Sequence, residues 1–337
     1  MVDRWALVVR LGGIGDNLIA SSILPLLKNQ GFKIAYMAQD PWQSIIMADP
    51  HIDRLIAKAA GEIPIPADQF QKWFWDRRGE YDRLINLSGS IEGTLMHVPN
   101  SSTFYWPDEI LRKVSNVNYL ERTHDIAGVP HIFQPRFYPT PSEDEQARRA
   151  IETLGGDVLG WCLSGSNFDK THPFQQEAVM RVLSRFPGKI VFFGGKNERD
   201  RKLFQTIYDV VRFYHGDTKR LCLATEWPVR KTLAVAQHCR VVVGPDTGVM
   251  WAVAFNPRVR KVLMLSHASP ENISKHWRLT ETLVPIPEVA PCWPCHKLHS
   301  GVHTCRPNAN NNGAACISSI SPDLIAEAVI RQWSDPP

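Results

Sequence analysis

No run among the 337 residues approaches the roughly 20 consecutive apolar residues that a membrane-crossing helix requires. The N-terminus, MVDRWALVVRLGG, puts an acid and a glycine-rich turn where a secretory leader would continue its apolar run. A cytoplasmic protein is expected, with at most a peripheral contact at the inner face of the membrane. An excess of one charge is missing too: the net charge of +4 tolerates a phosphorylated ligand without demanding a polyanionic partner. Seven cysteines, an odd number, do not make a complete secreted-type disulfide framework, so reduced thiols or a metal site are expected. The last absence is a glycine. Residues 10 to 31, RLGGIGDNLIASSILPLLKNQG, nearly make a dinucleotide-binding fingerprint, but Leu18 stands in the third-glycine position and Asp16 would repel a pyrophosphate lying on the helix.

Short apolar runs alternate with helical periodicity along the chain. WALVVRL (5 to 11) reads as a strand, NLIASSILPLLKNQ as a helix and FKIAYMA (32 to 38) as a second strand, a βαβ unit. DRLIA and DRLINLSG extend the pattern to about residue 90, and 91 to 130 is less regular. Three prolines in PRFYPTPS (135 to 142) mark a linker, and Ser142 with Glu145 reads as a capping box opening the next helix. The second half repeats the architecture in VLGWCLSG, GKIVFFGG, CRVVVGPDTG and RKVLMLS, with helices near 174 to 186, 197 to 211 and 228 to 238. The expectation is an α/β protein of two Rossmann-like, doubly wound domains facing a central cleft. Residues 1–140 form the first domain and 141–320 the second, which includes a cysteine-rich loop at 290–317. A last helix lies within 321–337. Ligands of such sheets bind beyond the carboxyl ends of the strands, which directs attention to those loops.

Four loops there carry chemistry. Gly12, Gly13 and Gly15 allow a tight turn and close ligand approach, and Asp16 is either a favourable acid at a helix start or a carboxylate base at the mouth of the cleft. In VVVGPDTGVMWAVA (241 to 254), Asp246, Thr247 and Gly248 open a helix whose free amides suit a diphosphate. LSGSNFDKTHP (163 to 173) offers Ser164, Ser166 and Lys170, the lysine either neutralising phosphate or solvated on the surface. FFGGKNERD (192 to 200) adds Gly194, Gly195 and Glu198, which could accept from a ribose or base. Asp40 mimics the ribose-binding acid of nicotinamide enzymes, keeping an NAD-dependent oxidoreductase in view.

Taken in order, RLGGIGDNLIASSILPLLK, SGSNFDKTHP, GGKNE, GPDTGVMWAVA, PCWPCHK and CISSISPDLIAEAV resemble the family 9 glycosyltransferases, the group of ADP-heptose:lipopolysaccharide heptosyltransferases. The resemblance implies a GT-B fold, with acceptor held mainly by the first domain, nucleotide sugar mainly by the second, and the last helix crossing back. It implies that Asp16 takes the acceptor proton and that Lys170, Asp246, Thr247 and Gly248 contact the donor diphosphate without a catalytic metal. Trp251 departs from the pattern, standing where the family has histidine. It could stack on the donor or fill the core. The implied partners are a nucleoside-diphosphate sugar and a glycan acceptor, with a protein side chain or a hydroxylated DNA base as alternatives. A non-catalytic nucleotide-sugar binder is the remaining rival.

Cys292, Cys295, Cys305 and Cys316 form C-x2-C-x9-C-x10-C, spacing that suits a tetrathiolate zinc or iron site with sulfurs about 2.3 Å from the ion. His296, His299 or His303 could replace one cysteine. The cluster resembles the finger of the bacterial autotransporter heptosyltransferases, which implies a structural metal. Four thiolates leave no open position for catalysis. On the acceptor side, Trp73, Trp75, Tyr105 and Trp106 could stack on sugar rings or belong to the core, and Arg77 and Arg78 could meet an anionic acceptor.

Overall fold

The apolar runs form two parallel sheets in the computed structural model, which describes residues 3–64, 67–98, 101, 103–297, 305 and 313–334. The first half contains β1 (Arg4–Arg10), α1 (Ile14–Ser21), α2 (Leu24–Asn29), β2 (Phe32–Gln39), β3 (Arg54–Lys58), α3 (Ala67–Trp75), β4 (Arg83–Asn86), α4 (Asp108–Ser115) and α5 (Tyr119–Ala127). Its sheet has the order β3-β2-β1-β4. Leu7 and Val9 of β1 face one layer, with Phe74 of α3, while Val8 faces the other, with Leu18 of α1. That alternation is what a two-residue side-chain period dictates when both faces of a sheet are covered.

The second half runs from α6 (Pro141–Thr153) through β5 (Val158–Cys162), α7 (Gln175–Leu183), β6 (Lys189–Phe193), α8 (Glu198–Tyr214), β7 (Leu221–Leu223), α9 (Val229–Ala236), β8 (Val241–Pro245), α10 (Gly248–Val253), β9 (Arg260–Met264), β10 (Thr280–Leu283) and α11 (Ala315–Ser318) to α12 (Pro322–Ser334). The sheet order is β10-β9-β8-β5-β6-β7, again parallel. One core cluster takes in Leu18 and Ile23 from the first half and Cys162, Met250 and Trp251 from the second. Where α1 meets α10, a Cβ on Gly248 would lie 2.5 Å from Ile14 Cβ. This glycine is therefore required by the approach of the two halves, whatever it does for a ligand.

Three local expectations change. The predicted helix through Pro25 is two helices, because proline has no N–H to continue the ladder from α1. The capping box before α6 uses Thr140 and Glu143 in place of Ser142 and Glu145. Thr140 is extended, its hydroxyl accepts from Glu143 N at 3.2 Å, Glu143 accepts from Thr140 N at 2.8 Å, and Pro141 takes the first helical position. The last helix packs against α7 and strands β8, β9 and β10 of the second sheet, where a crossing back to the first domain was implied. Salt bridges Arg181–Asp323, Arg185–Glu327 and Arg331–Glu281 hold it there. Among the described residues no helix is long and apolar enough to cross a membrane.

Candidate active site

The loops after β1, β5, β6 and β8 meet around one cleft of about 1020 Å³. It opens where the two halves join, beyond the carboxyl ends of the strands.

On the first-domain side β1 ends in Arg10, which is fully buried. Its guanidinium donates to Leu87 O at 2.8 Å, to Glu92 at 2.9 and 3.1 Å, and lies 3.1 Å from Asp16 Oδ1. Burial pulls this group down, but the charges of Asp16 and Glu92 raise it above the usual arginine value. Asp16 Oδ2 accepts the Gly13 N–H at 2.7 Å, so the carboxylate closes the turn before α1 as well as facing the cleft. Its side chain is 29% exposed, leaving lone pairs free for a ligand. Asp16 thus both caps the loop and places a carboxylate at the cleft.

On the second-domain side Lys170 Nζ donates to Asp246 Oδ2 at 2.7 Å, and the Trp251 indole N–H donates to Oδ1 at 2.8 Å. Burial lowers the Lys170 ammonium, yet the charge and hydrogen bond of Asp246 raise it above its ordinary range. Burial likewise pushes Asp246 up, and Lys170, His267 and the Trp251 N–H together bring it below the usual carboxylate value. Lys170 curls over Gly165, where a Cβ would lie 2.5 Å from Lys170 Cβ. Thr247 Oγ1 accepts from Met250 N at 3.4 Å as the cap of α10. Trp251 is 2% exposed, with Tyr119 near-parallel at 6.5 Å and Trp277 T-shaped at 4.8 Å, so most of its ring is packed against protein.

Asp16, Gly13, Gly15, Ser164, Ser166, Lys170, Gly194, Gly195, Asp246, Thr247, Gly248 and Trp251 all line the cleft. Glu198 does not. It is exposed and paired with Lys202 one turn along α8. In its place Asp200, 2% exposed, reaches back to accept from Ser164 Oγ and Gly195 N, both at 2.6 Å. The pattern NERD, with Asn197 capping Asp200 N, is the sequence signal for that residue. Arg199 Nη2 adds bonds to Ser164 Oγ and Gly165 O at 2.8 Å. His267, three residues past β9, is a further wall residue without a sequence signal. Its Nδ1 lies 3.1 Å from Asp169 Oδ2, an oxygen that also accepts from Ser266 Oγ at 3.1 Å. None of Trp73, Trp75, Tyr105 and Trp106 lines the cleft, and Arg77 covers Trp73 at 3.9 Å. On the first-domain side Trp42, Ile91, Glu92, Leu95 and Tyr119 do. Asp40 is also outside, bonded to Gln43.

All four clustered cysteines are free thiols. Burial raises Cys316, with Cys305, Asp169 and Cys295 adding to it, and burial raises Cys295, with Cys292 and Asp169 beside it. The thiols are therefore electrostatic neighbours in the series 292, 295, 316, 305. Among the described residues no three cysteine, histidine or acidic groups converge in a geometry that holds an ion. His296 is buried, while His299 and His303 lie outside the described residues. The loop also joins the halves: Arg112 donates to Cys292 O and Pro294 O at 3.1 and 2.8 Å, and Met96 N to His296 O at 2.7 Å.

No protein-family model matches the sequence. A stretch of 149 residues is 28% identical to CTP synthase of Streptococcus pyogenes serotype M3, covering 44% of this chain and 24% of that enzyme. The chain thus spans about a quarter of the length of the curated relatives it matches. Whole-chain likeness comes from solved structures. A glycosyl transferase family 9 protein of Veillonella parvula superposes with a TM-score of 0.68 at 15% identity, covering 99% of this chain and 98% of the other. Escherichia coli ADP-heptose LPS heptosyltransferase II gives 0.63 at 15% identity, covering 98% of each chain. The iron-containing dodecameric glycosyltransferase TibC of enterotoxigenic E. coli gives 0.60 at 11% identity, covering 98% of this chain and 77% of TibC. The chain has the GT-B fold of these glycosyltransferases.

Proposed function

We propose that this protein is an inverting glycosyltransferase that moves a sugar, with ADP-linked heptose the leading donor, from a nucleoside diphosphate to an acceptor hydroxyl. The observation that carries the reading is that Asp16, from the first half, and the Lys170–Asp246 pair, from the second, line one cleft. The donor assignment draws on E. coli heptosyltransferases of the same fold solved with ADP and with an ADP-heptose analogue.

In this reading Asp16 accepts the acceptor proton on a lone pair left over beside the contacts from Arg10 to Oδ1 and from Gly13 N–H to Oδ2. The freed hydroxyl oxygen attacks the anomeric carbon from the face opposite the diphosphate, through an oxocarbenium-like state. Lys170, oriented by Asp246, and the amides of the Thr247–Gly248 turn receive the charge that develops on the leaving group. A lipopolysaccharide core glycan is the leading acceptor, and a protein side chain or a hydroxylated DNA base are the alternatives. Steep salt dependence of acceptor binding would mark the nucleic acid.

We also assign Cys292, Cys295, Cys305 and Cys316 to a structural zinc or iron ion. The support is the spacing, the run of neighbouring thiols and the iron-containing relative of the same fold. Four thiolates would leave no open coordination position, so the role assigned to the ion is to hold this loop. Metal analysis of the purified protein and of Cys316→Ser tests the assignment. One ion per chain in the first and loss in the second supports it, and a metal-free wild type removes it.

The deciding experiment is thermal melting against ADP, GDP, UDP, CMP, CTP, the corresponding sugars and NAD. A ligand at 100 times its dissociation constant adds about 2.7 kcal/mol, a shift of several degrees. A response to ADP supports the transferase. A response to NAD alone returns the oxidoreductase reading, and donor binding without turnover on any acceptor returns the non-catalytic binder.

A further inference from the structure

We infer that His267, braced by Asp169, is a second side-chain hydrogen-bonding contact to the donor diphosphate, alongside Lys170. The inference rests on the transferase reading above and adds a residue that the sequence motifs do not contain.

The charges around the cleft frame the need. Asp16, Glu92, Asp200 and Asp246 all line it, against Lys170, Lys196 and Arg199; Lys170 is already engaged at 2.7 Å by Asp246, and Arg199 by Ser164 Oγ and Gly165 O. A diphosphate arriving beside Asp246 meets a compensated pair, and Lys170 cannot serve it fully without loosening that pair. Another donor at the same wall relieves the conflict. His267 is placed for this: it lines the cleft with Lys170, Asp246 and Thr247.

The ring is fixed. Nδ1 lies 3.1 Å from Asp169 Oδ2, and a carboxylate at that nitrogen makes it the N–H donor. Asp169 is 0% exposed, Ser266 Oγ donates to the same oxygen, and the His267 carbonyl accepts from His296 N at 2.9 Å. The other nitrogen, Nε2, is on the far side of the ring from Asp169 and has no hydrogen-bond partner among the described residues. A buried carboxylate behind one imidazole nitrogen both orients the ring and stabilises its cationic form, as in the carboxylate–histidine pairs behind metals and nucleophiles. With Nδ1–H given to Asp169, Nε2 is the nitrogen left to take up a proton with the incoming diphosphate and donate it to a phosphate oxygen. Asp169 precedes Lys170 in the same short turn, so one backbone segment sets both side-chain contacts to the diphosphate.

The test compares ADP with adenosine, by calorimetry, on wild type, His267→Asn and Asp169→Asn. His267→Asn is expected to weaken ADP about 10- to 50-fold, the loss of one charge-assisted hydrogen bond, while adenosine affinity stays within twofold. Asp169→Asn is expected to weaken ADP by a smaller factor with adenosine again unchanged, and His267→Gln to recover part of the loss. Should His267→Asn not fold, a histidine ¹H–¹⁵N spectrum of the wild type reads the same contact: His267 Nε2 shifts with ADP and not with adenosine. Unchanged ADP affinity, or equal losses for ADP and adenosine, overturns the inference and leaves the transferase standing. A wild type that binds neither ADP nor any other nucleoside diphosphate overturns the transferase reading, and this inference with it.

Discussion

The Trp251 indole N–H donates to Asp246 Oδ1 at 2.8 Å, directly opposite the oxygen that takes the Lys170 ammonium. The residue that departs from the sequence pattern is therefore tied to the residue that keeps it. A buried carboxylate with one oxygen on a cation and the other on a neutral donor is held ionised and in one orientation. Trp251→Phe keeps most of the ring packing against Tyr119 and Trp277 but leaves Oδ1 without this donor. The expected loss is about 1.5–3 kcal/mol, read as a lower urea midpoint at unchanged slope. An unchanged midpoint would show that the indole contributes volume alone.

Asp16→Asn tests the base. The amide oxygen can still accept from Gly13 N–H, while Arg10 loses its contact to Oδ1 and keeps Glu92 and Leu87 O, so the loop is expected to keep its shape and ADP should still raise the melting temperature. Turnover is expected to fall by about 10²–10⁴, the usual weight of general base catalysis. Loss of both turnover and ADP binding would place Asp16 in loop structure. Retained turnover would remove it from the chemistry.

The strands and the glycine loops were legible because their signals are local: apolar runs bounded by glycine, and turns at strand ends. Leu18 illustrates this, since its place in the pattern argued against a dinucleotide and it is fully buried beneath the first sheet. Glu198 shows the limit. Proximity to Gly194 and Gly195 suggested a ligand contact, but helical phase carries residue 198 outward and brings Asp200 back onto the loop. The contacts that orient the cleft are long-range, Arg10 to Glu92 and Asp169 to His267, and no spacing rule connects such pairs. The break at Pro25 was readable from proline chemistry, but helical periodicity on both sides concealed it.

Lys261 is fully buried on β9, with Nζ 3.4 Å from Val253 O and Asn256 O. Burial, with Arg260 beside it, lowers its ammonium to about 7. A folded value below the unfolded 10.5 means that the unfolded chain binds more protons between them. This residue therefore makes stability rise with pH across that window, by up to ~1.4 kcal/mol per pH unit, and lowers it most at and below neutrality. Lys261→Met is expected to flatten that slope and raise the melting temperature at pH 7. A wild type and variant with parallel pH–stability curves from 7 to 10 would refute it.

Arg230 joins the halves from α9. It donates to Ser44 O at 2.7 Å and Ile45 O at 3.2 Å in the first half, to Tyr138 O at 3.0 Å in the linker, and to both oxygens of Glu143 at 2.7 and 2.6 Å. The Arg230 hydrogen bonds lower Glu143 to about 2, against the opposing effect of burial. Because the folded value lies below the unfolded 4.5, the pair's contribution is complete above pH 4.5 and lost as pH falls toward 2. At ~1.4 kcal/mol per unit its upper bound is about 3 kcal/mol, reduced by the partial exposure of Glu143. Glu143→Gln is expected to lower stability by about 1–3 kcal/mol at pH 7, and by progressively less as the wild type is acidified. Urea unfolding at pH 7, 5, 4 and 3 reads the convergence. A difference that stays constant across those values would mean that Arg230 holds the halves through the three carbonyls, with the carboxylate contributing nothing that protonation removes.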